Sequence, residues 1–356
     1  MRAFCLLSAF VLGLALAHGQ QKQAPIFAER VDVERVVVDV RVLDNAGNPV
    51  TGLGADDFSV RIGRTPVAIE SAMWVGGAAP GDEAAPAGDA GSAAGESVPD
   101  GRLVIFLIQK DFEPSRFVGL MRMLIESRNF IDELTPRDRV AVLSFDTQLK
   151  IWLDFTRERE PLRRVLRRGI LFESPQPVAD TYKKKGSDPF FSDVSLMRRL
   201  DPAKAAKTYT IERALLAIAE ALHDVPGAKS IVLLGHGFGR LGWTGVAMEH
   251  GYEEARDALL AARTSVFSLD VTNADYHSLE AGLQLIARDT GGFFARTHLF
   301  VEQAMKRLAG AIAGHYVLFL EQPDVAPGTH DIRVRLTRGQ GTVFAKHAYV
   351  KPTSVR

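Results

Sequence analysis

Two hydrophobic rhythms divide this chain. Residues 36–42 (Val36, Val37, Val38, Asp39, Val40, Arg41, Val42) are mostly β-branched and alternate toward their end. The turn-forming run Asp44, Asn45, Ala46, Gly47, Asn48, Pro49 follows, which predicts a hairpin. Val50, Leu53, Phe58, Val60, Ile62, Val67, Ile69 and Met73 continue as short strands interrupted by Gly52, Gly54, Gly63 and Pro66. Residues 26–75 therefore read as a small antiparallel β-sandwich. From residue 101 the rhythm changes. The apolar run Leu103, Val104, Ile105, Phe106, Leu107, Ile108 is uniform enough for a strand buried on both faces. Phe117, Leu120, Met121, Leu124 and Ile125 then recur at helical spacing.

Strand-like and helix-like segments go on alternating through residue 314. Residues 140–145 predict a strand, with Ile151, Trp152 and Leu153 as its hairpin partner across Asp146 and Thr147. Strands are expected at 230–234 and 265–269, and helices at 157–168, 252–263, 279–289 and 301–313. Thr210 is a plausible cap for a helix carrying Ile211, Ala214, Leu215, Ile218 and Leu222 on one face. This order predicts an α/β fold, a doubly wound and mostly parallel sheet with helices on both faces, over residues 101–314. Residues 316–320, 331–336 and 342–350 return to strand patterning. The segment 315–356 is thus a C-terminal β element and a candidate to complete the N-terminal sandwich.

Two stretches lack periodicity. Residues 76–100 are almost wholly Gly, Ala, Pro, Ser, Asp and Glu, too little apolar surface to offset chain entropy, and read as a flexible linker. Residues 172–207, with Lys183, Lys184, Lys185, Phe190 and Phe191, form a long loop of the kind that is functional or disordered.

Composition narrows the function classes. Of 356 residues, 43 are Lys or Arg and 43 are Asp or Glu, so the formal charge is zero and no bulk field draws the chain to nucleic acid or anionic lipid. Met1 and Arg2, a short apolar core and the A-x-A pattern Ala15, Leu16, Ala17 predict a secretory signal peptide over residues 1–17. Its apolar core is shorter than the roughly 20 residues of a spanning helix, so no membrane span is expected in the mature chain. The expected location is periplasmic, cell-envelope or secreted. The single cysteine, Cys5, falls inside the leader, which leaves no thiol for disulfides or thiolate zinc sites in the mature chain.

The residues just past the strand at 103–108 are where open α/β sheets bind ligands: Gln109, Lys110, Asp111, Phe112, Glu113. Several ordered patterns around them resemble the von Willebrand factor A-like (VWA) domain, and more closely a family of secreted bacterial VWFA-related proteins. They are the 45–53 turn (Asn45 to Leu53) with Asp57 and Phe58; Leu134, Thr135, Pro136, Arg137, Asp138, Arg139, Val140; Pro226, Gly227, Ala228, Lys229, Ser230; Ala287, Arg288, Asp289, Thr290, Gly291, Gly292; and His315, Tyr316, Val317, Leu318. The resemblance covers nearly the whole mature chain except the linker and the 172–207 loop.

In metal-competent members the first strand ends in D-x-S-x-S, a later loop gives Thr, and the fourth strand leads to Asp. Together these hold Mg²⁺ or Mn²⁺ for a partner's carboxylate. The resemblance aligns Gln109 with the first Asp, Asp111 and Glu113 with the serines, Thr208 or Thr210 with the threonine, and His236 with the last Asp. A neutral amide and an imidazole suit hard cations poorly. The expectation is a degenerate site, with Asp111, Glu113, Thr208 and Thr210 as the residual ligand set should Mg²⁺ or Mn²⁺ bind, and otherwise no cofactor. The function implied is a non-enzymatic module that engages an unidentified protein partner through a rim of Asp111, Glu113, Thr208, Thr210 and His236. The alternatives are a metal-dependent hydrolase using Asp111, Glu113 and His236, with Zn²⁺ activating water, and a structural envelope component. Gly237, Gly239 and Gly242 match G-x-G-x-x-G, but with no helix directly after them they read as a glycine-rich rim loop. Gly235, His236, Gly237, Phe238, Gly239 has the outline of a nucleophile elbow with His where Ser is needed. Asp270, Thr272, Asn273 and Asp275 read as a turn that could add polar groups to the rim.

Overall fold

The computed structural model describes residues 36–76, 101–111, 113–173, 175, 194–243 and 245–351. The expected leader, residues 77–100 of the expected linker and residues 176–193 of the long loop lie outside the described residues. Four strands come first: β1 (Val36–Leu43), β2 (Phe58–Ile62), β3 (Thr65–Val67) and β4 (Ile69–Gly76). The central α/β region contributes β5 (Leu103–Gln109), β6 (Arg139–Phe145), β7 (Leu149–Thr156), β8 (Lys229–Gly235), β9 (Arg240–Gly242), β10 (Gly245–Ala247), β11 (Thr264–Asp270) and β12 (Phe294–Arg296). Its main helices are α1 (Pro114–Asp132), α2 (Arg159–Arg164), α3 (Ile211–Leu222), α4 (Tyr252–Ala261), α5 (Glu280–Thr290) and α6 (Val301–Ala313). The chain closes with β13 (Gly314–Leu320), β14 (Gly328–Leu336), β15 (Thr342–Ala345) and β16 (Ala348–Lys351).

The central sheet has the order β12-β11-β8-β5-β6-β7 and is parallel except for β7, which pairs antiparallel with β6 as a hairpin. Every residue of β5, β6, β8 and β11 is buried, because helices cover both faces. Alternation sorts β5 between the two layers. Leu103, Ile105 and Leu107 pack with Ile211, Leu215 and Ile218 of α3 and Leu259 of α4, whereas Val104, Phe106 and Ile108 pack with Leu120 and Leu124 of α1 and Leu308 of α6. Each such side chain contributes about 1.5–3 kcal/mol of apolar burial. The chain runs outward from β5 to β6 on one side and from β8 to β11 and β12 on the other. The order of winding therefore reverses between β5 and β8, where doubly wound sheets open a ligand crevice at the carboxyl ends.

The first and last segments of the chain share sheets. β1 lies antiparallel between β13 and β15 in the order β15-β1-β13-β4, and β14 lies between β2 and β16 in the order β16-β14-β2-β3. Their inner faces meet in one core around Tyr316, whose ring lies 5.3 Å from that of Phe58 and 4.9 Å from that of Trp74. The buried hydroxyl donates to Val50 O at 2.9 Å and accepts the Leu53 N–H at 3.1 Å, which satisfies both of its capacities. Arg41, from β1, ties this layer to the α/β region: Nε donates to Ala311 O and Nη1 to Ser265 Oγ, both at 2.9 Å.

Several local expectations change. The 157–168 helix is α2 followed by a π-helical turn, Val165–Gly169. The described end of the 172–207 segment holds two single helical turns, Leu196–Arg199 and Pro202–Ala205, capped by Ser195 and Asp201. The strand expected at 342–350 is two strands, β15 and β16, each in a different sheet. The glycine-rich run after β8 leads into the β9–β10 hairpin, and the next helix in the chain starts only at Tyr252, so the run does not itself open a helix as a dinucleotide fingerprint requires. Among the described residues no helix is long and apolar enough to cross a membrane.

Candidate functional site

The crevice between β5 and β8 is closed by a side chain from its own wall. Gln109, at the end of β5 and 7% exposed, donates from Nε2 to Gly237 O at 3.0 Å and accepts the His236 N–H on Oε1 at 3.1 Å. Both halves of the amide are thus committed to backbone across the crevice. Gly237 has φ 105°, and a Cβ there would lie 2.6–2.7 Å from Leu279, so this turn admits only glycine.

Asp111 and Glu113 stand on the lip above Gln109. Pro114 at the first position of α1 fixes the helix start, and the Glu113 N–H donates to Asp111 Oδ1 at 2.9 Å. One helical turn on, Arg116 reaches back to both carboxylates: Nη1 bonds Asp111, and Nε lies 3.0 Å from Glu113 Oε2. Ser115 Oγ donates to Glu113 Oε1 at 2.7 Å. Burial pushes the Asp111 carboxyl upward, but the Glu113 N–H, the Arg116 bond and the charges of His236 and Arg116 outweigh it and hold the group below the usual carboxylate range.

His236 faces the same carboxylate, with Nε2 3.7 Å from Asp111 Oδ2. Burial is the main cause that brings its pKa down to about 4, and Arg116 adds to the effect against the opposing pull of Asp111. The imidazole is therefore neutral at pH 7. Its Nδ1 is buried without a hydrogen-bond partner.

The two threonines are held elsewhere. Thr208 is buried, and its Oγ1 lies 3.4 Å from both Thr147 O and Ala205 O. Thr210 is the N-cap of α3, its hydroxyl accepting the Arg213 N–H at 3.4 Å, as its position before the amphipathic run suggests. Among the described residues no hydrogen bond or ion pair joins either threonine to Asp111, Glu113 or His236. The structure thus brings Gln109, Asp111, Glu113, Arg116 and His236 together. Arg116 is the member that sequence reasoning missed; its signal was a cation at i+3 from Glu113 and i+5 from Asp111, one turn into a helix whose start Pro114 marks.

A second polar group adjoins this one at the end of β11. Asp270 is 1% exposed; Oδ1 accepts the Thr272 N–H at 2.9 Å, which is the expected turn, and Oδ2 lies 2.8 Å from His277 Nε2. Ligand-type atoms of Asp270, His277 and Glu280 lie within 4.8 Å of one another. Both oxygens of Glu280, however, are already engaged by Arg296, at 2.6 and 2.8 Å, and Gln284 adds a bond at 2.9 Å. The loop after β11 is clamped onto α1, with Asn273 N–H donating to Ser115 O at 3.1 Å and a Cβ on Gly119 falling 1.7 Å from Val271 O.

Large side chains stand exposed on segments that follow the carboxyl ends of the strands. Trp243, at the β9–β10 turn, is fully exposed; Leu241 is 63% exposed, Tyr209 beside Thr208 62% and Tyr276 beside His277 68%. Tyr209 is held at φ 55°, a left-handed conformation rare for an aromatic residue, and its N–H donates to Thr147 O at 2.9 Å.

The loops that follow the first strand (β5) and the fourth strand (β8) of the central sheet meet at one lip, as the sequence resemblance implies. The fold is α/β, a doubly wound and mostly parallel sheet of the kind that resemblance implies. No family model matches the chain, and no curated protein matches it. Among solved structures it is similar to the conserved hypothetical protein BatB from Bacteroides thetaiotaomicron, at 17% identity over 60% of this chain and 97% of that one, with a TM-score of 0.37. It is also similar to an aerotolerance-related membrane protein from Bacteroides fragilis, at 17% identity, 60% and 96% coverage and a TM-score of 0.37. A von Willebrand factor type A protein from Catenulispora acidiphila shares 10% identity over 85% of this chain and 74% of that one, with a TM-score of 0.39. Overlaps this loose carry no argument about activity or partners.

Proposed function

We propose that this VWA-like chain is an exported, non-enzymatic interaction module that binds a protein partner at the carboxyl-end rim without a bridging metal. The observation that carries the reading is the set of large side chains left in solvent on segments that follow the carboxyl ends of the strands: Trp243 and Leu241 just past His236, Tyr209 beside Thr208, and Tyr276 beside His277. Exposed aromatic anchors around a polar centre are the composition of protein-binding surfaces, and Trp and Tyr dominate their energetics.

Arg116 supports the metal-free part. A cation at this lip has to compete with a guanidinium that already bonds Asp111 and Glu113, and Gln109 spends its one carbonyl oxygen on the His236 N–H. The same ion pairs speak against the hydrolase reading, in which Asp111, Glu113 and His236 would hold zinc. The leader pattern at residues 1–17 supports export.

The test is affinity capture from an envelope fraction with the native chain, with Trp243→Ala and with chelator present. The expected result is a defined protein retained in chelator and lost with Trp243→Ala. Loss of the partner in chelator, or full retention by the variant, overturns the proposal.

A further inference from the structure

Arg307 of α6 sits against the phenyl rings of both Phe293 and Phe344: its guanidinium carbon lies 4.9 Å from each ring centroid, and the two centroids are 5.7 Å apart, so the group caps the ring pair from one side. Contact with the two rings holds the group against the wall of β15 and α6, on the side away from its remaining open N–H groups. Yet among the described residues Arg307 makes no hydrogen bond or ion pair. The group is half-buried, and burial holds its pKa below the ordinary arginine value. A partly desolvated fork of five donors with no acceptor is costly, and an oxyanion is the ligand whose geometry satisfies it.

Arg307 lines two clefts on the flank where β12 and α6 meet β15. The smaller, about 350 Å³, is lined by Arg288, Arg307 and His347 against apolar walls of Phe293, Phe344 and Val343, with no acidic side chain in its lining. The larger, about 660 Å³, adds Lys306 and Arg296 on the far side of Arg307. Its one acid, Asp44, is occupied by its own turn, accepting from the Ala46 and Asn48 N–H groups at 2.8 Å and from Asn48 Nδ2 at 3.1 Å. The remaining acids nearby are paired: Glu280 with Arg296, and Asp289 with Arg288 and the Tyr252 hydroxyl. Both volumes fall in the ordinary range for small-molecule sites.

We propose that the smaller cleft binds a small oxyanion carrying a flat apolar body, with the Arg307 guanidinium holding the carboxylate or phosphate and Phe293 and Phe344 holding the body. This site is separate from the rim and does not depend on the rim's function. Arg288 and His347 supply further cationic and donor groups on the same side as Arg307.

The experiment is isothermal titration of the full chain at low and at physiological salt with benzoate, phenyl phosphate and inorganic phosphate. The expected result is that at least one aromatic probe binds about tenfold or more tightly than inorganic phosphate, and that Arg307→Gln weakens it by about tenfold. Arg307→Lys should fall between the two, since an ammonium lacks the planar fork. Preference for phenyl phosphate over benzoate assigns a phosphate ligand, and the reverse a carboxylate. His347→Glu, at an exposed position, places a repelling charge in the cleft without touching the ring stack, and should also weaken binding if Arg307→Gln fails to fold. The proposal is overturned if no probe binds, if inorganic phosphate binds as tightly as both aromatic probes, or if the folded variants bind as the native chain does.

Discussion

Gln109 and His236 are joined across the mouth of the β5–β8 crevice by a single hydrogen bond, the His236 backbone N–H to Gln109 Oε1 at 3.1 Å. With the second bond from Gln109 Nε2 to Gly237 O, the amide staples the place where the winding order of the sheet reverses. Gln109→Ala leaves a buried donor and a buried acceptor unsatisfied, each costing about 1–3 kcal/mol. The expected loss of stability is about 2–4 kcal/mol, read from urea unfolding at pH 7. Gln109→Glu keeps the acceptor but turns a charge toward the Gly237 carbonyl. It should therefore be less stable at pH 7 than at pH 4, relative to the native chain.

His236 gives the rim its own pH response. Its folded pKa is about 4, against an unfolded value near 6.5. Between those values the unfolded chain binds more protons, so stability falls as pH is lowered through the window from about 6.5 to about 4. The contribution is bounded at about 3 kcal/mol. His315 and His347 are also depressed by burial and act in the same direction, so native stability alone does not isolate the residue. The difference between native protein and His236→Asn does: the variant, which keeps the backbone N–H to Gln109, should lose less stability over this window. Parallel curves would show that His236 is not buried as described.

Much of this arrangement was legible in the sequence, and the unreadable parts share a cause. The uninterrupted apolar run at 103–108 could only be a strand covered on both sides, and it is. The place of Gln109, Asp111 and Glu113 followed from a strand end, because a doubly wound sheet collects its carboxyl ends along one edge, and His236 was added by the family resemblance. Arg116, by contrast, was one of many surface cations on helical faces. Its role depends on the side chain folding back over the first turn of α1, which spacing permits but does not require. The Asp270–His277 contact was hidden in the same way, in a loop whose path is set by packing against Gly119. β12 is three residues long, too short for any periodicity, and β15 and β16 looked like one strand because two buried residues, Ala345 and Ala348, bracket the break. Tertiary pairing decides such segments.

Asp39 on β1 joins the terminal β layer to the α/β region. Its carboxylate accepts from Arg263 Nη2 at 2.5 Å and Nε at 3.1 Å, and His315 Nε2 lies 3.4 Å away. Burial opposes the charge, but the bonds from His315 and Arg263 and their charges prevail and drive the carboxyl far below its usual range. Arg41 nearby is depressed to about 10, chiefly by burial, with Asp39 as its counterweight. Asp39→Ala should therefore cost about 3 kcal/mol, since removing one partner strands the other buried charges. In a double-mutant cycle, Asp39→Ala with Arg263→Ala should cost less than the sum of the single changes. Additive losses in chemical denaturation would mean that the two residues act independently.

Arg116 makes the strongest demand on the metal-free reading of the rim. If its guanidinium supplies the positive charge that Asp111 and Glu113 need, then Arg116→Gln leaves two carboxylates on one lip with no counter-charge beyond a neutral imidazole. Two effects should follow together. The His236 pKa should rise, because Arg116 is the second cause holding it down after burial, and NMR titration of the ring protons reads that shift directly. Mn²⁺, a hard cation suited to oxygen ligands, should bind the variant at least about tenfold more tightly than the native chain, because it no longer displaces a bonded guanidinium. A rise in the His236 pKa without any gain in Mn²⁺ affinity would place the barrier to metal binding at Gln109, whose carbonyl is held by the His236 N–H, and not at Arg116.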